Sequence, residues 1–386
     1  MRREHVVGDA ALPRWTHPGA WWVWALCLAT AASRTTNPLL LGLIVAVAGL
    51  VVARRRSEAP WARSFSVFLR LGAVIIVLHI LFTVLVGSGF GTRVLFTLPS
   101  VPLPSWFAGV TLGGPVTLEE VLAAAYQGLL LATMLACIGA ANSLASPARL
   151  LASVPAALYE VGVAVVVAMT FAPQLVGDVA RVRTARRLRG RPDRGVRALA
   201  GSVMPVLEGS LERAVDLAAA MDSRGYGRTG PLSARARTTS RALLLLGLVG
   251  VVLGLYGLLD GGTPGAAGPV VLVLGLAAGA TGMVLASRRS IRTRYRPDPW
   301  ALPEWLVVLA GAVPAVVLVA VSITDPPALV GPVAPPAWPA LPLGPALAVL
   351  VGAAAGFAAP PPPGTSAVRT LRPGGTHADD REEVAA

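Results

Sequence analysis

The sequence contains 386 residues, of which 54% are hydrophobic and 14% are charged, and its net charge is +13. Soluble domains carry about a quarter charged residues, so this composition excludes an ordinary soluble protein and indicates a membrane protein. Every basic residue is an arginine. Because the arginines cluster between apolar runs, the positive charge favours an anionic membrane face or an acidic protein partner over nucleic acid.

The first predicted elements are short apolar runs at 20–33 and 38–53, separated by residues 34–37. A helix of about 20 residues is needed to cross a bilayer, so these runs predict either a tight hairpin of short helices or one region broken at the proline. Arg2 and Arg3 before an apolar run superficially resemble a signal peptide. Since a second apolar run follows almost at once, we expect an uncleaved membrane anchor.

Further apolar runs follow at 71–90, 121–141, 158–176, 242–259, 268–286, 304–324 and 340–358. Arginine-rich loops favour the cytoplasmic side of a membrane, which assigns the loops after residues 53 and 286 to the cell interior. The stretch 177–241 is packed with arginine and is also predicted to be cytoplasmic. The Gly/Pro-rich stretch 91–118 has a single arginine and is predicted to be an outer loop.

The run 158–176 raises a problem for the number of membrane crossings. If this run crossed fully, the arginine-rich stretch that follows it would lie outside the cell. It carries Glu160, Gly162 and Pro173, and we predict a re-entrant or interfacial helix whose broken backbone is shielded by protein. The runs together predict an all-α polytopic membrane protein with about eight transmembrane helices, long cytoplasmic coupling helices and both termini in the cytoplasm.

This interpretation divides the chain into consecutive regions. They are an N-terminal cytoplasmic segment (1–19), a transmembrane region (20–141), cytoplasmic or interfacial coupling helices (142–240), a transmembrane hairpin (241–290), an additional C-terminal transmembrane hairpin (291–359) and a disordered tail (360–386). An interfacial anchor is predicted near the start of the additional hairpin, from Trp300, Pro303, Glu304 and Trp305.

The coupling region predicts two helices. The first covers about 174–189 and ends at Gly190, and the second starts near Arg197, contains Pro205 and ends at Gly225. Apolar residues spaced three and four apart predict an apolar face on the second helix. The residues of this face are Val203, Leu207, Leu211, Ala214, Val215 and Ala218.

Both coupling helices are predicted to end alike, with an alanine, an arginine four residues later and a glycine immediately after. These residues are Ala185, Arg189 and Gly190 in the first helix, and Ala220, Arg224 and Gly225 in the second. Arginine in the last turn and glycine beyond it are ordinary helix-ending residues. A guanidinium at a helix tip can also bind a carboxylate through two parallel hydrogen bonds, so paired tips predict docking into two similar acidic grooves.

These paired motifs resemble the mark of the transmembrane T components of energy-coupling factor (ECF) transporters, which include the membrane subunits of cobalt and B-vitamin importers. Further similarity lies in Asn37-Pro38-Leu39, Phe171-Ala172-Pro173, Pro205 and the continuation Arg224-Gly225-Tyr226-Gly227. The resemblance covers roughly residues 20–290. Thr170 stands where the family usually has arginine, and residues 297–386 add what look like two spans that most members lack.

The resemblance implies a non-catalytic cell-membrane subunit of an ATP-driven importer of a vitamin or a transition-metal ion such as cobalt. It implies two ATP-binding-cassette ATPases, which bind the ATP, and a small substrate-binding membrane subunit, the S component, as partners. Arg189 and Arg224 would insert into the ATPases. We interpret the neighbouring Arg186, Arg187 and Arg191 as membrane-surface or topology charges.

Two other function classes stay open from the residues alone. A secondary transporter usually shows internal repeats and charged or broken helices at the midplane, and the spans are nearly free of charge. A membrane enzyme needs a catalytic constellation, which His79, Glu119, Glu120 and Glu160 do not form in any recognisable way. We expect His79 to be packed between helices, and the adjacent carboxylates to begin the fourth span.

Bound groups are also constrained by the residue types. The chain has no lysine, so a Walker-type phosphate loop is impossible. Its four histidines are scattered and its two cysteines lie within apolar runs, which offers hardly any ligands for a metal. We therefore expect no cofactor and no metal site in this chain.

Overall fold

The computed structural model describes residues 14–56, 64–86, 90–102, 111–153, 159–190, 196–225, 234–259, 267–287 and 300–361. The chain divides into unit 1, which combines Met1–Leu150 with Asp298–Ala386, and unit 2, which comprises Leu151–Pro297. The described part is mostly helical, which confirms the predicted fold class. The membrane or cytoplasmic assignments of the six predicted regions stay predictions.

The helices are α1 (Pro18–Ser33), α2 (Pro38–Arg55), α3 (Ser64–Val86), α4 (Leu118–Leu144), α5 (Pro147–Ala152), α6 (Tyr159–Leu188), α7 (Val196–Ser223), α8 (Ala234–Leu259), α9 (Ala267–Ser287), α10 (Leu302–Thr324), α11 (Leu343–Val351) and α12 (Ala355–Ala358). Strands β1 (Val94–Pro102) and β2 (Thr111–Thr117) lie between α3 and α4. Among the described helices, seven are long and apolar enough to cross a membrane: α2, α3, α4, α6, α8, α9 and α10.

The first two apolar runs form separate helices joined by a tight turn, as one of the two sequence alternatives predicts. Asn37 caps α2, because its side-chain oxygen accepts the Leu39 N–H at 3.0 Å and Pro38 needs no partner for its nitrogen. The Thr35 hydroxyl donates to the Leu329 carbonyl at 2.7 Å. The turn is therefore held by the segment that follows α10.

Helix α10 runs alongside α1 in the same direction. At the start of both helices the Arg14 guanidinium lies 3.0 Å from the Glu304 carboxylate, and beyond their ends Thr35 bonds to Leu329. Glu304 is fully buried and also accepts the Ala301 N–H at 3.0 Å. The Glu304 carboxylate thus caps α10 and pairs with Arg14 inside unit 1, while the interfacial anchor around Trp300 and Trp305 stays a prediction.

Helices α11 and α12 follow α2 in the same manner. The Asn37 side-chain amide donates to the Ala340 carbonyl at 2.7 Å, and the Arg55 guanidinium donates to the Gly356 carbonyl at 2.7 Å. In the core, the Trp24 indole N–H donates to the Gly352 carbonyl at 3.1 Å. The C-terminal helices thus pack against the N-terminal hairpin and bury its apolar residues.

The chain leaves unit 1 and returns to it at one end. Arg149, which follows α4, lies over the Trp15 ring at 5.5 Å. Trp300, which precedes α10, has its ring centroid 5.0 Å from that of His17. We call this end, where α1 begins, the arginine end, after Arg14 and Arg149.

The stretch 91–118 was predicted to be an outer loop, but its described residues 94–102 and 111–117 form two antiparallel strands, which we call the β-hairpin. Val94 pairs with Thr117 and Pro102 pairs with Thr111, with irregular register between them. Valine and phenylalanine along β1 favour the extended backbone. Gly113 has a φ of +82°, a conformation open to glycine, so this glycine permits the irregular register rather than preventing a strand.

The hairpin is fastened to the first turn of α4, where Glu119 and Glu120 lie as predicted. The buried Glu119 carboxylate accepts the N–H groups of Thr92 and Arg93, each at 3.3 Å. Thr117 caps α4 by accepting the Glu120 N–H at 3.3 Å. These carboxylates stabilise the join between hairpin and helix, which is a structural role.

Unit 2 differs from the prediction at its first helix. The predicted re-entrant segment and the first coupling helix are one continuous helix, α6, with Pro173 inside it. A proline removes a single helical hydrogen bond, and the context of the surrounding helix can outweigh that local loss. The broken backbone predicted for 158–176 is therefore wrong.

Helices α8 and α9 form an antiparallel hairpin with backbones in close approach. A Cβ atom added to Gly275 would lie 2.5 Å from the Gly250 carbonyl carbon, and one added to Gly247 would lie 2.5 Å from the Gly279 nitrogen. Small residues at such an interface allow close packing where lipid supplies no hydrophobic driving force. The predicted hairpin at 241–290 is thus built around glycine.

Candidate coupling site on helices α6 and α7

The first arginine motif lies at the C-terminal end of α6. The Arg189 N–H donates to the Ala185 carbonyl at 3.2 Å, and the Gly190 N–H donates to the Arg187 carbonyl at 3.0 Å. Gly190 has a φ of +68°, in the left-handed region that ends a helix and favours glycine. The α-helical hydrogen bonding therefore extends to Arg189 and turns away immediately after it.

The second motif has the same backbone form at the end of α7. The Arg224 N–H donates to the Met221 carbonyl at 3.2 Å, and the Gly225 N–H donates to the Asp222 carbonyl at 2.8 Å. Gly225 has a φ of +74°. The two predicted motifs thus share the helix-ending conformation, with an arginine just before a left-handed glycine.

The motif residues are accessible. Ala185, Arg189 and Gly190 are exposed at the first tip, and Ala220 and Arg224 are exposed at the second. Neither guanidinium group makes a hydrogen bond or ion pair with a residue that the structure describes. The continuation of the second motif, at residues 226 and 227, lies outside the described residues. Both guanidinium groups are thus available to an acidic partner.

Polar contacts join α6 to α7. The Asp178 carboxylate accepts from the Arg213 guanidinium at 2.9 Å and pairs with Arg181 on its own helix. The Arg186 guanidinium donates to the Gly201 carbonyl at 2.6 Å. Arg186, which the sequence interpretation treated as a membrane-surface or topology charge, therefore holds the helix pair together. Arg187 is exposed, and Arg191 lies outside the described residues.

The order of these contacts fixes the relative direction of the two helices. Arg186 meets Gly201, whereas Asp178, earlier on α6, meets Arg213, later on α7. The helices therefore run in roughly opposite directions, and the structure does not bring the two arginine tips together. The stretch of α7 from the Gly201 contact to Arg224 is about 35 Å long at the usual rise per residue.

The predicted apolar face of α7 is present and exposed. Its large residues Val203, Leu207, Leu211 and Val215 are 46–67% exposed. The α6 contacts fall on a different side of the helix, at Gly201 and Arg213. The apolar face is thus available to lipid or to a partner.

Sequence reasoning missed Asp178, although a signal was present. Asp178 is the acidic residue in the stretch 161–188, where arginines at several positions surround it. An isolated carboxylate in a basic helix is costly to leave unpaired when it is buried. That imbalance could have suggested an ion pair with a neighbouring helix.

The other candidate groups do not assemble into a site. His79 is half-buried on α3, next to Gly128 of α4, as expected for a packed residue. Within the described ranges, no group of three or more histidine, cysteine, aspartate or glutamate side chains could hold a metal ion. The carboxylates in the first turn of α4 are occupied by backbone N–H groups within residues 90–93, just before β1.

Comparison with known proteins adds a family assignment. The family model named CbiQ, described as a cobalt transport protein, matches residues 12–233. Over 164 residues the chain is 32% identical to a protein of Streptococcus thermophilus named "Energy-coupling factor transporter transmembrane protein EcfT". That match covers 39% of this chain and spans about 60% of the length of the curated relative.

The family match includes both arginine motifs and ends before the α8–α9 hairpin. It is shorter at its C-terminal end than the predicted resemblance, which extended to about residue 290. It nevertheless covers more than half of the 386 residues. With the apolar helices of membrane-spanning length, it indicates a multi-pass membrane protein, and the chain belongs to the CbiQ family of cobalt transport proteins.

Proposed function

We propose that the chain is the transmembrane energy-coupling subunit of an ATP-driven ECF-type importer. Its two exposed tips, Arg189 and Arg224, dock into two ATP-binding-cassette ATPases, which bind and hydrolyse the ATP. Closure of the ATPase pair moves α6 and α7, and this motion is passed to a substrate-binding S component in the same membrane. The transported substrate is a vitamin or a transition-metal ion, and the chain itself is not an enzyme.

The observation that carries this proposal is the repetition of one helix ending. Each tip presents an exposed arginine beside a glycine with a φ near +70°. A guanidinium beyond a helix end can form two parallel hydrogen bonds with a carboxylate, and the adjacent glycine leaves room for another backbone. Two equivalent arginine tips suit docking into two equivalent ATPase subunits. The name of the Streptococcus relative agrees with this role.

The route of the chain supports a cytoplasmic location for the two tips. Arg149 and Trp300, the described residues that flank the segment 151–299, both lie at the arginine end of unit 1, so in the proposed topology this segment crosses the bilayer an even number of times. The α8–α9 hairpin accounts for two crossings. Helix α6 is long and apolar enough to span, but α7 is not, so a crossing by α6 alone would make the number of crossings odd. In the proposed topology α6 therefore does not cross the bilayer. By the arginine rule the arginine end is cytoplasmic.

The exposed apolar face of α7 supports the role of an S component as partner. Helices that lie at a membrane surface bury such a face in lipid or against another protein. In the proposed complex, motion of α7 would reach the S component through this face.

Co-purification with the two ATPases tests the proposal. Arg189→Glu and Arg224→Glu together should abolish complex formation while leaving membrane insertion unchanged, because each reversal sets a carboxylate against an acidic groove. Arg187→Glu is the matched control, since Arg187 is exposed near the same tip but lies outside the motif. Unchanged complex yield and transport in the double variant would contradict the proposal, as would substrate uptake in proteoliposomes that contain this chain without ATPases.

A further inference from the structure

The contacts between α6 and α7 leave the two arginine tips on arms of unequal length. The last polar contact before the first tip is at Arg186, three residues from Arg189. The last contact before the second tip is at Arg213, eleven residues from Arg224. At 1.5 Å per residue, the first arm is about 5 Å long and the second about 16 Å.

The long arm of α7 does not pack on α6. From Ala214 to Ala220 its residues are exposed, with Leu217 half-buried. On α6, residues 172–177, which precede Asp178, are exposed as well. The helices therefore cross between the two polar contacts and diverge beyond Arg213.

Asp178 lies at the point where the helices diverge. Its residue is 9% exposed, and its carboxylate is shared by Arg213 across the interface and Arg181 on the same helix. The acidic residues on α7, Glu208, Glu212 and Asp216, are exposed. Asp178 is thus the buried acidic group at the crossing, and its removal would leave Arg213 without the contact that holds α7 there.

We propose that Asp178 is a positioning residue that acts as the pivot of the α6–α7 crossing, so that the two arginine tips are mechanically unequal. Arg189 is held close to α7 by the nearby Arg186–Gly201 contact. Arg224 instead lies at the end of the long arm of α7, beyond its last polar contact with α6. A rotation of about 10° at the pivot would move the end of an arm of about 16 Å by about 3 Å. This inference rests on the proposed function for its consequence in transport, but the pivot itself is a property of the isolated chain.

Distance measurements between spin labels test the pivot without any partner. Nitroxide labels are attached to cysteines introduced at Arg187 and Ala219, both exposed, in a background with Cys27→Ala and Cys137→Ala. Electron–electron double resonance on the full-length chain in nanodiscs should give one main distance. Asp178→Asn should raise the ratio of splayed to crossed helix pairs about tenfold. The variant loses a charge-assisted hydrogen bond, and the free energy that such a bond contributes corresponds to a change of about this size in an equilibrium ratio.

Two further variants keep the outcome decisive. Arg213→Gln breaks the same contact from the other helix. It should broaden the distribution of label-to-label distances as Asp178→Asn does, and it tests the pivot even if Asp178→Asn inserts poorly. The exchanged pair Asp178→Arg with Arg213→Asp should restore the wild-type distribution. Asp216→Asn is the matched control, because it removes the same charge from an exposed site on α7. The pivot is overturned if Asp178→Asn broadens the distance distribution no more than Asp216→Asn does. It is also overturned if the exchanged pair does not restore the wild-type distribution.

The transport assay separates this inference from the proposed function. With both tips intact, Asp178→Asn should still co-purify with the ATPases, but substrate uptake per ATP hydrolysed should fall about tenfold and recover in the exchanged pair. Unchanged uptake per ATP despite a broadened distance distribution would overturn the positioning role. Failure of the wild-type chain to bind ATPases would instead contradict the proposed function, and the distance measurement would still decide the pivot.

Discussion

At the scale of single residues, glycine and arginine act together at each helix tip. Arg189 and Arg224 carry the charge, while Gly190 and Gly225 take the positive φ that ends each helix. The sequence predicted both endings because glycine after a basic last turn is a strong helix stop. It could not predict that Arg186 would turn inward to the Gly201 carbonyl, because that contact depends on how two helices cross.

Replacing a motif glycine should loosen the tip through its backbone. Gly190→Ala forces alanine into the left-handed region, at a cost of about 1–2 kcal/mol, whereas nothing lies within 4 Å of the added Cβ. Hydrogen exchange of the last-turn amides of α6 should accelerate about tenfold. Gly190→Asn should be milder, because asparagine tolerates this conformation.

The matched control for this change is Gly177→Ala. Gly177 is in the interior of α6 and also has open space around an added Cβ, but its φ is not positive. Exchange at the tip should stay at the wild-type rate in this variant. Equal acceleration in both variants would show that the positive φ is not what fixes the tip.

At the scale of elements, the sequence predicts helices well and their partners poorly. The apolar runs became helices because their length and composition leave little alternative in a membrane. Residues 94–102 and 111–117 form paired strands within the predicted loop, because pairing of β1 with β2 depends on non-local contacts that composition does not reveal. Likewise Pro173 did not break α6, because tertiary context outweighs the local propensity of one residue.

The α6–α7 crossing gives a second prediction, at Gly201. A Cβ added there would overlap the Arg186 guanidinium, so Gly201→Ala should displace Arg186 and weaken the pair. Gly209→Ala on the same helix meets nothing within 4 Å and should stabilise α7 by about 0.5–1 kcal/mol through helix propensity. Hydrogen exchange across α7 distinguishes them: faster in the first variant and slower in the second. The same sign of change in both would contradict this assignment.

The α8–α9 hairpin gives a third prediction. Gly275→Ala would set a Cβ 2.5 Å from the Gly250 backbone and should lower stability by about 1–3 kcal/mol, the usual cost of overpacking. Gly279→Ala, on the same helix, would approach Gly247 no closer than 3.9 Å and should be tolerated. The melting temperature of the purified chain in detergent measures the difference. Equal melting temperatures would rule out close glycine packing between these helices.

At the scale of the whole molecule, the C-terminal helices complete the packing of unit 1. Trp24, Leu28 and Val349 are fully buried in the core that α1 and α2 share with α10 and α11. The sequence treated residues 291–359 as an additional hairpin, because the charge and hydropathy of a span do not reveal its neighbours. The structure makes these helices part of the same packed core.

Truncation tests this dependence. A chain that ends after residue 299 loses the partners of Arg14, Thr35, Asn37 and Arg55, and it should fail to accumulate as a monodisperse protein in detergent. A chain that ends after Pro361 keeps every described helix and should behave like the full-length protein. Size-exclusion profiles and protease resistance of the two chains are the measurements. A stable, monodisperse short form would contradict the shared core.

The direct bonds between the first and last helices of unit 1 set an order for biogenesis. The Trp24 indole and the Asn37 amide emerge early from the ribosome, yet their carbonyl partners at Gly352 and Ala340 are made some 300 residues later. Contacts so distant in sequence form slowly, because a long loop must close first. Unit 2 is therefore synthesised while the N-terminal hairpin still lacks these partners, so that the unpaired indole and amide groups mark a chain whose synthesis is unfinished.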